Sequence, residues 1–377
     1  MVIYFGKRII AQQLCKAVKL LFLAAFISIS LLANADVIAQ QDNINNISYS
    51  PDSTKLMFDG CTQGKCAIHI YDLKTGDLGY YKAPEGEFWS MGRFSHDGNR
   101  IVFSSTPLDA EGQRVLEGMQ IAVMKLDGSE VEIITHGEGA KIYPSFSHSG
   151  EKIIYVWGKT ITKTSRWVSE SLKRKIPASD YDLHEVDVRQ HQQIQLTDFR
   201  FGFPPNRPFY MLNDEQFVFS AEYPKRYSTS EPILKGSEIS ERINAYKQKY
   251  GRNQLYVLSP GEAELVPYLV TRKETTQDPV MDAKGNLYFK DDRSMLYMLD
   301  SNRQMVAQWS MYPDEWKDKN IETYSKSYDL APNGLQVVYV WSKVEGNMRI
   351  PKVGVLSLED NSFRWVAMPA KANRIND

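Results

Sequence analysis

Gly92-Arg93-Phe94-Ser95-His96-Asp97-Gly98-Asn99-Arg100-Ile101-Val102-Phe103 and Pro144-Ser145-Phe146-Ser147-His148-Ser149-Gly150-Glu151-Lys152-Ile153-Ile154-Tyr155 are two copies of one phrase. Each reads as a short strand, a turn whose Asp-Gly or Ser-Gly supplies a positive φ at little steric cost, and a second strand of β-branched and aromatic residues. The phrase also runs from Ile47 to Phe58 around Pro51-Asp52-Ser53-Thr54, and from Ser327 to Tyr339 around Pro332-Asn333-Gly334. Weaker copies span Phe209 to Phe219 and Pro279 to Phe289. A second hairpin follows each copy, most plainly in Gln120 to Ile134 with Asp127-Gly128 at its turn. Its equivalents are Ala67 to Leu78, His184 to Leu196, Gln254 to Leu265, Leu296 to Val306 and Lys352 to Val366. Four antiparallel strands per repeat cannot bury both faces alone, so such repeats pack radially. The expected fold is all-β: a six-bladed β-propeller of four-stranded antiparallel blades over residues 44–377. One short helix is expected in the blade-four insertion, Ser237 to Gly251, with a Ser at its start, early acids, late lysines and a terminal Gly.

The Phe-Ser-x-Asp/Ser-Gly-x-x-Ile-x-Phe/Tyr phrase, followed by Ile121-Ala122-Val123-Met124 and Asp127-Gly128, resembles the TolB-type repeat, a relative of the WD-type propellers. The resemblance covers residues 44 to 368 and implies a periplasmic six-bladed propeller of a family whose namesake binds other envelope proteins. That namesake carries an α/β domain before its propeller, whereas only residues 36–43 precede the first strand here. Its particular role is therefore not carried over.

Residues 1–35 read as an export signal. Lys7, Arg8, Lys16 and Lys19 stand without any acid, an apolar run follows from Leu20 to Ala33, and Ala33-Asn34-Ala35 is a small-x-small cleavage site. The run is too short to span a bilayer, which takes about 20 residues. Cleavage near Ala35 would leave residues 36–43 as an N-terminal segment, a periplasmic or secreted location, and no stable membrane insertion. Cys15 leaves with the leader, so Cys61 and Cys66 are the remaining pair of the chain's 3 cysteines. In an exported chain a disulfide between them is the expectation. Two thiolates alone do not complete a zinc shell.

The whole chain has a formal charge of −1, and the portion after the basic leader is weakly acidic. Nucleic acid is a poor fit, because its recognition starts from a basic face. Loop lengths then sort by face. The turns joining first to second and third to fourth strands are short. The connections between second and third strands are long: Ser104–Gly118, Gly158–Tyr181, Ala221–Arg252 and Ser342–Pro351. Long excursions on one rim are where binding concentrates in repeat proteins. Aromatic and cationic residues expected on that rim are Trp89, Arg93, Tyr143, Trp167, Arg200, Phe201, Arg207 and Trp316, a combination suited to a protein hot spot or to sugar stacking.

Hydrolase elbows, zinc-protease helices, nucleotide loops and Cys-x-x-Cys pairs are missing from the sequence. His184, Glu185, Asp187 and His191 resemble a ligand cluster, yet on a strand His184 and Asp187 point to opposite faces. No catalytic residue, metal or cofactor is assigned. The expected role is a non-catalytic periplasmic scaffold that binds an envelope protein or peptide through its long-looped rim. The alternative is a carbohydrate-active propeller, a polysaccharide lyase or a glycan-binding protein.

Overall fold

In the computed structural model the repeat phrase folds as expected, and its own side chains hold each turn. The structure describes residues 43–376 except 63–64, 162–177, 223, 235–236, 252, 270–274, 314–322, 346–347, 368 and 370–371. The leader therefore lies outside the described residues. In the second copy Arg100 N–H donates to Ser95 Oγ (3.0 Å), Asn99 N–H donates to Asp97 (3.1 Å), and Gly98 takes the left-handed φ of 74°. In the third copy Lys152 N–H donates to Ser147 Oγ (3.1 Å), with Gly150 at φ 71°. The first copy makes the same contacts through Ser50 and Asp52, and there Ser53 adopts the left-handed conformation (φ 59°) in place of a glycine. Serine and aspartate recur because their side chains accept the backbone N–H groups that a tight turn leaves free.

Six sheets result. Blade one holds β1 (Asn45–Tyr49), β2 (Lys55–Thr62), β3 (Lys65–Asp72) and β4 (Leu78–Tyr81), and blade two β5 (Glu87–Phe94), β6 (Arg100–Pro107), β7 (Gln120–Lys125) and β8 (Glu132–Ile133). Blade three holds β9 (Ala140–Phe146), β10 (Lys152–Ile161), β11 (Ala178–Asp187) and β12 (Gln193–Gln195), and blade four β13 (Asn206–Tyr210), β14 (Phe217–Ala221) and β15 (Gln254–Leu258). Blade five holds β16 (Gln277–Met281), β17 (Leu287–Lys290), β18 (Met295–Leu299) and β19 (Met305–Ser310). Blade six holds β20 (Thr323–Leu330), β21 (Gln336–Glu345), β22 (Met348–Ser357) and β23 (Phe363–Trp365). A final short strand, β24 (Asn373–Arg374), pairs in parallel with β4 and makes blade one five-stranded.

Alternation along each strand decides which neighbour a side chain meets. On β6, Ile101 and Phe103 pack with Met57 and Ile68 of blade one, while Val102 between them packs with Phe146 and Tyr155 of blade three. The same division holds around the ring. Five of the six apolar clusters draw their residues from two consecutive blades and the sixth, which holds Met119, Ile154 and Phe219, from blades two, three and four; one joins Ile47, Leu56 and Phe58 of blade one to Val338, Val340 and Val353 of blade six. Closure rests on that packing and also on the C-terminal segment. Ile375 N–H donates to the Tyr80 carbonyl (2.9 Å), Asn376 exchanges hydrogen bonds with the backbone of Lys82, and Gly79 makes room for the Ile375 side chain, which a Cβ there would meet at 2.7 Å.

Two loops differ from expectation. Residues 342–351 are not an excursion, because β21 and β22 stay paired out to Glu345↔Met348 as one long hairpin. Blade four has three paired strands. Among the described residues the chain beyond β15 returns to it through Tyr268 N–H to the Leu255 carbonyl (2.7 Å), and Pro267 next to it has no N–H for a ladder. The expected helix is present as α1 (Ser237–Tyr250). Its Tyr246 is buried, stacks on Tyr227 with ring centroids 5.2 Å apart, and shares a hydroxyl contact with Tyr256 of β15, so the apolar stripe packs against the blade.

Cys61 and Cys66 are bonded and face each other across β2 and β3, closing a short hairpin loop. Loop entropy assigns that closure about 2 kcal/mol. The double variant Cys61→Ser/Cys66→Ser is expected to stay folded with its melting point lowered by about 5 °C. Collapse of the fold on reduction would contradict a purely local role.

Candidate functional site

The six innermost strands surround the axis, and their equivalent positions form tiers. A one-residue bulge interrupts each pairing between first and second strands. In five blades the bulge residue takes a left-handed φ: Asn46 (48°), Met91 (58°), Tyr143 (54°), Arg207 (49°) and Asp278 (49°). Pro144, Pro208 and Pro279 follow three of them, where the bulge needs no ladder donor. Two positions later along each strand stand Ser48, Arg93, Ser145, Phe209 and Val280, with Asp329 in the matching place of blade six. The adjoining turns contribute Pro51, His96, His148, Leu212, Ala283 and Pro332. Those two tiers line one cavity of about 440 Å³, a funnel with one residue of each tier from every blade. Its volume lies in the range of small-ligand pockets. Its mouth is the short-turn rim, opposite the long connections.

Beneath the floor the bulge tier is plugged by ion pairs. Arg207 donates to the Tyr328 carbonyl and, at 3.4 Å, to the Ile47 carbonyl, and lies 3.4 Å from Asp329, whose other oxygen accepts Tyr49 N–H (2.9 Å). Lys290 Nζ is 3.1 Å from Asp278. Asp59 accepts from Asn46 Nδ2 (2.8 Å) and Met91 N–H (2.9 Å), and burial pushes its carboxyl up to about 6. Arg93 differs from these charges. Its guanidinium feels Arg207, Asp329 and Asp278, yet it donates no hydrogen bond among the described residues, and burial pulls it down to about 10.

At the mouth the His96 and His148 rings stack with centroids 3.9 Å apart. Asp214 of blade four accepts the backbone N–H groups of His148 (2.7 Å) and Ser149 (2.9 Å), anchoring the turn that carries the second ring. Partial burial, and for His96 the imidazole beside it, hold both rings below the usual histidine value.

The sequence-selected residues divide. Arg93, Tyr143 and Arg207 come together about the axis, Arg93 in the funnel floor and the other two just below it. Trp89 is core: it is buried, donates to Glu87 (2.9 Å) and packs on Phe103. Phe201 is buried between Tyr181 and Pro224, and Arg200 lies half-buried beside Asp198 (3.4 Å). Trp167 and Trp316 lie outside the described residues. The metal-like run is dispersed as its strand geometry implied. His184 is buried against Trp157 and its ring is pushed down to about 3, Asp187 holds a turn, and His191 faces Glu132 (3.4 Å). Among the described residues no three His, Cys, Asp or Glu side chains gather as a metal site. Sequence reasoning passed over Ser48, Ser145, Asp278 and Asp329, which emerge only when the six copies are aligned on their turns, the first two and Asp329 at the position of Arg93 and Asp278 at the bulge two residues earlier.

Asp329→Ala leaves Arg207 as a buried cation without its carboxylate and is expected to cost about 3 kcal/mol in chemical denaturation at neutral pH; unchanged stability would mean that the carbonyls alone hold Arg207. Both mouth imidazoles should titrate below the unfolded value of about 6.5. The unfolded chain then takes up protons first as the pH falls, and the stability these rings contribute is lost below that point. Side-chain NMR titration checks this, and a value at or above 6.5 for either ring would contradict it.

No family model matches the chain, and no curated protein matches it in sequence. Many solved structures match in fold. An oligogalacturonate lyase in complex with manganese is 13% identical, with a TM-score of 0.51 over 87% of this chain and 77% of its own. An oligogalacturonate lyase from Vibrio parahaemolyticus is 12% identical, with a TM-score of 0.50 over 88% and 78%. TolB from Acinetobacter baumannii is 14% identical, with a TM-score of 0.47 over 86% of this chain and 66% of that one. At these identities the likeness is one of fold: the chain is a six-bladed β-propeller, and TolB proteins are among the structures it resembles.

Proposed function

We propose that the chain is an exported, non-catalytic propeller that holds a segment of an envelope protein or peptide in its axial funnel. The observation that carries this reading is the funnel itself, to which all six blades contribute while the charges below it are consumed in internal pairs. On the long-looped rim, favoured from sequence, α1 is packed against blade four. Export is supported by the leader-like sequence of residues 1–35 and by the Cys61–Cys66 disulfide. No helix of the described residues is long and apolar enough to cross a membrane.

A second reading, a lyase acting on acidic polysaccharide, is supported by the fold likeness to oligogalacturonate lyases and by Arg93, His96 and His148 lining one cavity. Against it, the Tyr210 hydroxyl in the same wall is engaged by Glu185.

Ala283 is exposed at the mouth and tests the site directly. With Ala283→Trp the melting point should be unchanged, while retention of a partner from envelope extract should fall at least about tenfold, as expected when a central contact is blocked. Equal retention would move the interface to the long-looped rim. Formation of unsaturated sugar ends from polygalacturonate would favour the lyase.

A further inference from the structure

The funnel floor is chemically two-sided. Ser48, Arg93 and Ser145 come from three consecutive blades and form one side; Phe209 and Val280, from the next two, form the other. The sixth member, Asp329, is already committed to Arg207 and to Tyr49 N–H.

The polar side is under-used. Arg93 presents a planar fork of donors that no described residue accepts from, whereas Arg207 and Lys290 each have a carboxylate. Ser48, 3% exposed, has a buried Oγ without any hydrogen-bond partner. A buried hydroxyl left unsatisfied is costly, and it stands beside a half-buried guanidinium with unused donors, in adjacent blades at one level of one cavity. A single anion placed between them would satisfy both. Its geometry is set by the guanidinium, which matches the two oxygens of a carboxylate.

The apolar side narrows the class. A sugar acid could lay a C–H face on Phe209, but its ring hydroxyls would meet only apolar side chains on this side of the floor. A polypeptide's last residue, with a free carboxylate and an apolar side chain, satisfies both sides at once. We infer that the funnel recognises the free C-terminal carboxylate of a partner polypeptide ending in an apolar residue, with Arg93, Ser48 and Ser145 taking the carboxylate and Phe209 and Val280 the side chain. This rests on the funnel being the binding site. Arg207 acts here as a positioning residue, since it engages the Asp329 carboxylate below the floor.

The test uses the whole protein and a tetraglycyl-leucine peptide with a free carboxylate, followed by NMR of the Arg93 Nε–H and by titration calorimetry. The free acid should bind saturably and shift the Arg93 signal. The same peptide with a C-terminal amide should bind at least about tenfold more weakly, the loss expected for a charge-assisted pair. Arg93→Gln should reduce binding of the acid to the level of the amide without lowering the melting point, because it removes an uncompensated charge. Equal binding of acid and amide, no binding of either, or binding of oligogalacturonate alone would overturn the inference. If Ala283→Trp abolishes retention of an envelope partner while Arg93→Gln leaves it intact, the funnel remains the site and only the carboxylate assignment falls.

Discussion

Each sheet of this protein is apolar on both faces, and no blade has a core of its own. The six clusters of buried side chains all lie between blades, so the stability of any one sheet is the covering its neighbours provide. That constraint closes the ring. It also brings the first strands to the axis with their ladders bulged, and the bulges decide which side chains reach the centre.

The centre is consequently a place where six unrelated side chains at equivalent positions must be reconciled. Below the floor they are reconciled as ion pairs, Arg207 of blade four with Asp329 of blade six and Lys290 with Asp278 inside blade five. Such pairs gain little over apolar packing of the same volume, but removing one partner is expensive. The first pair therefore fixes the arrangement of the blades more than it strengthens it. Arg93 escapes that settlement, and the chemistry available to the funnel follows from the exception.

Much of the fold was legible because the turn phrase carries its own mechanics: a Ser that accepts the backbone across the turn, an Asp that accepts within it, and a Gly at positive φ. Blade count, strand pairing, the helix and the disulfide all follow from those local rules. The site was less legible. Arg93, Tyr143 and Arg207 were selected for being aromatic or cationic near blade junctions, which also selected Trp89 and Phe201, two core residues. Nothing local distinguishes Arg93 from Trp89; their difference is a matter of which face of a bulged strand meets the axis. The missing fourth strand of blade four had a local cause, Pro267, whereas the extended hairpin of blade six depends on pairing that continues beyond the sheet.

The pairing of β24 with β4 has a consequence for how the chain reaches its final state. The outer edge of the first sheet in chain order is completed by residues nearly 300 positions later, with Ile375 seated over Gly79. Joining such distant segments carries the entropy of closing almost the entire polypeptide into a loop. The edge of blade one is therefore covered only when residues 373–376 are in place, and the entropy of that long closure falls on a seam of two short paired strands.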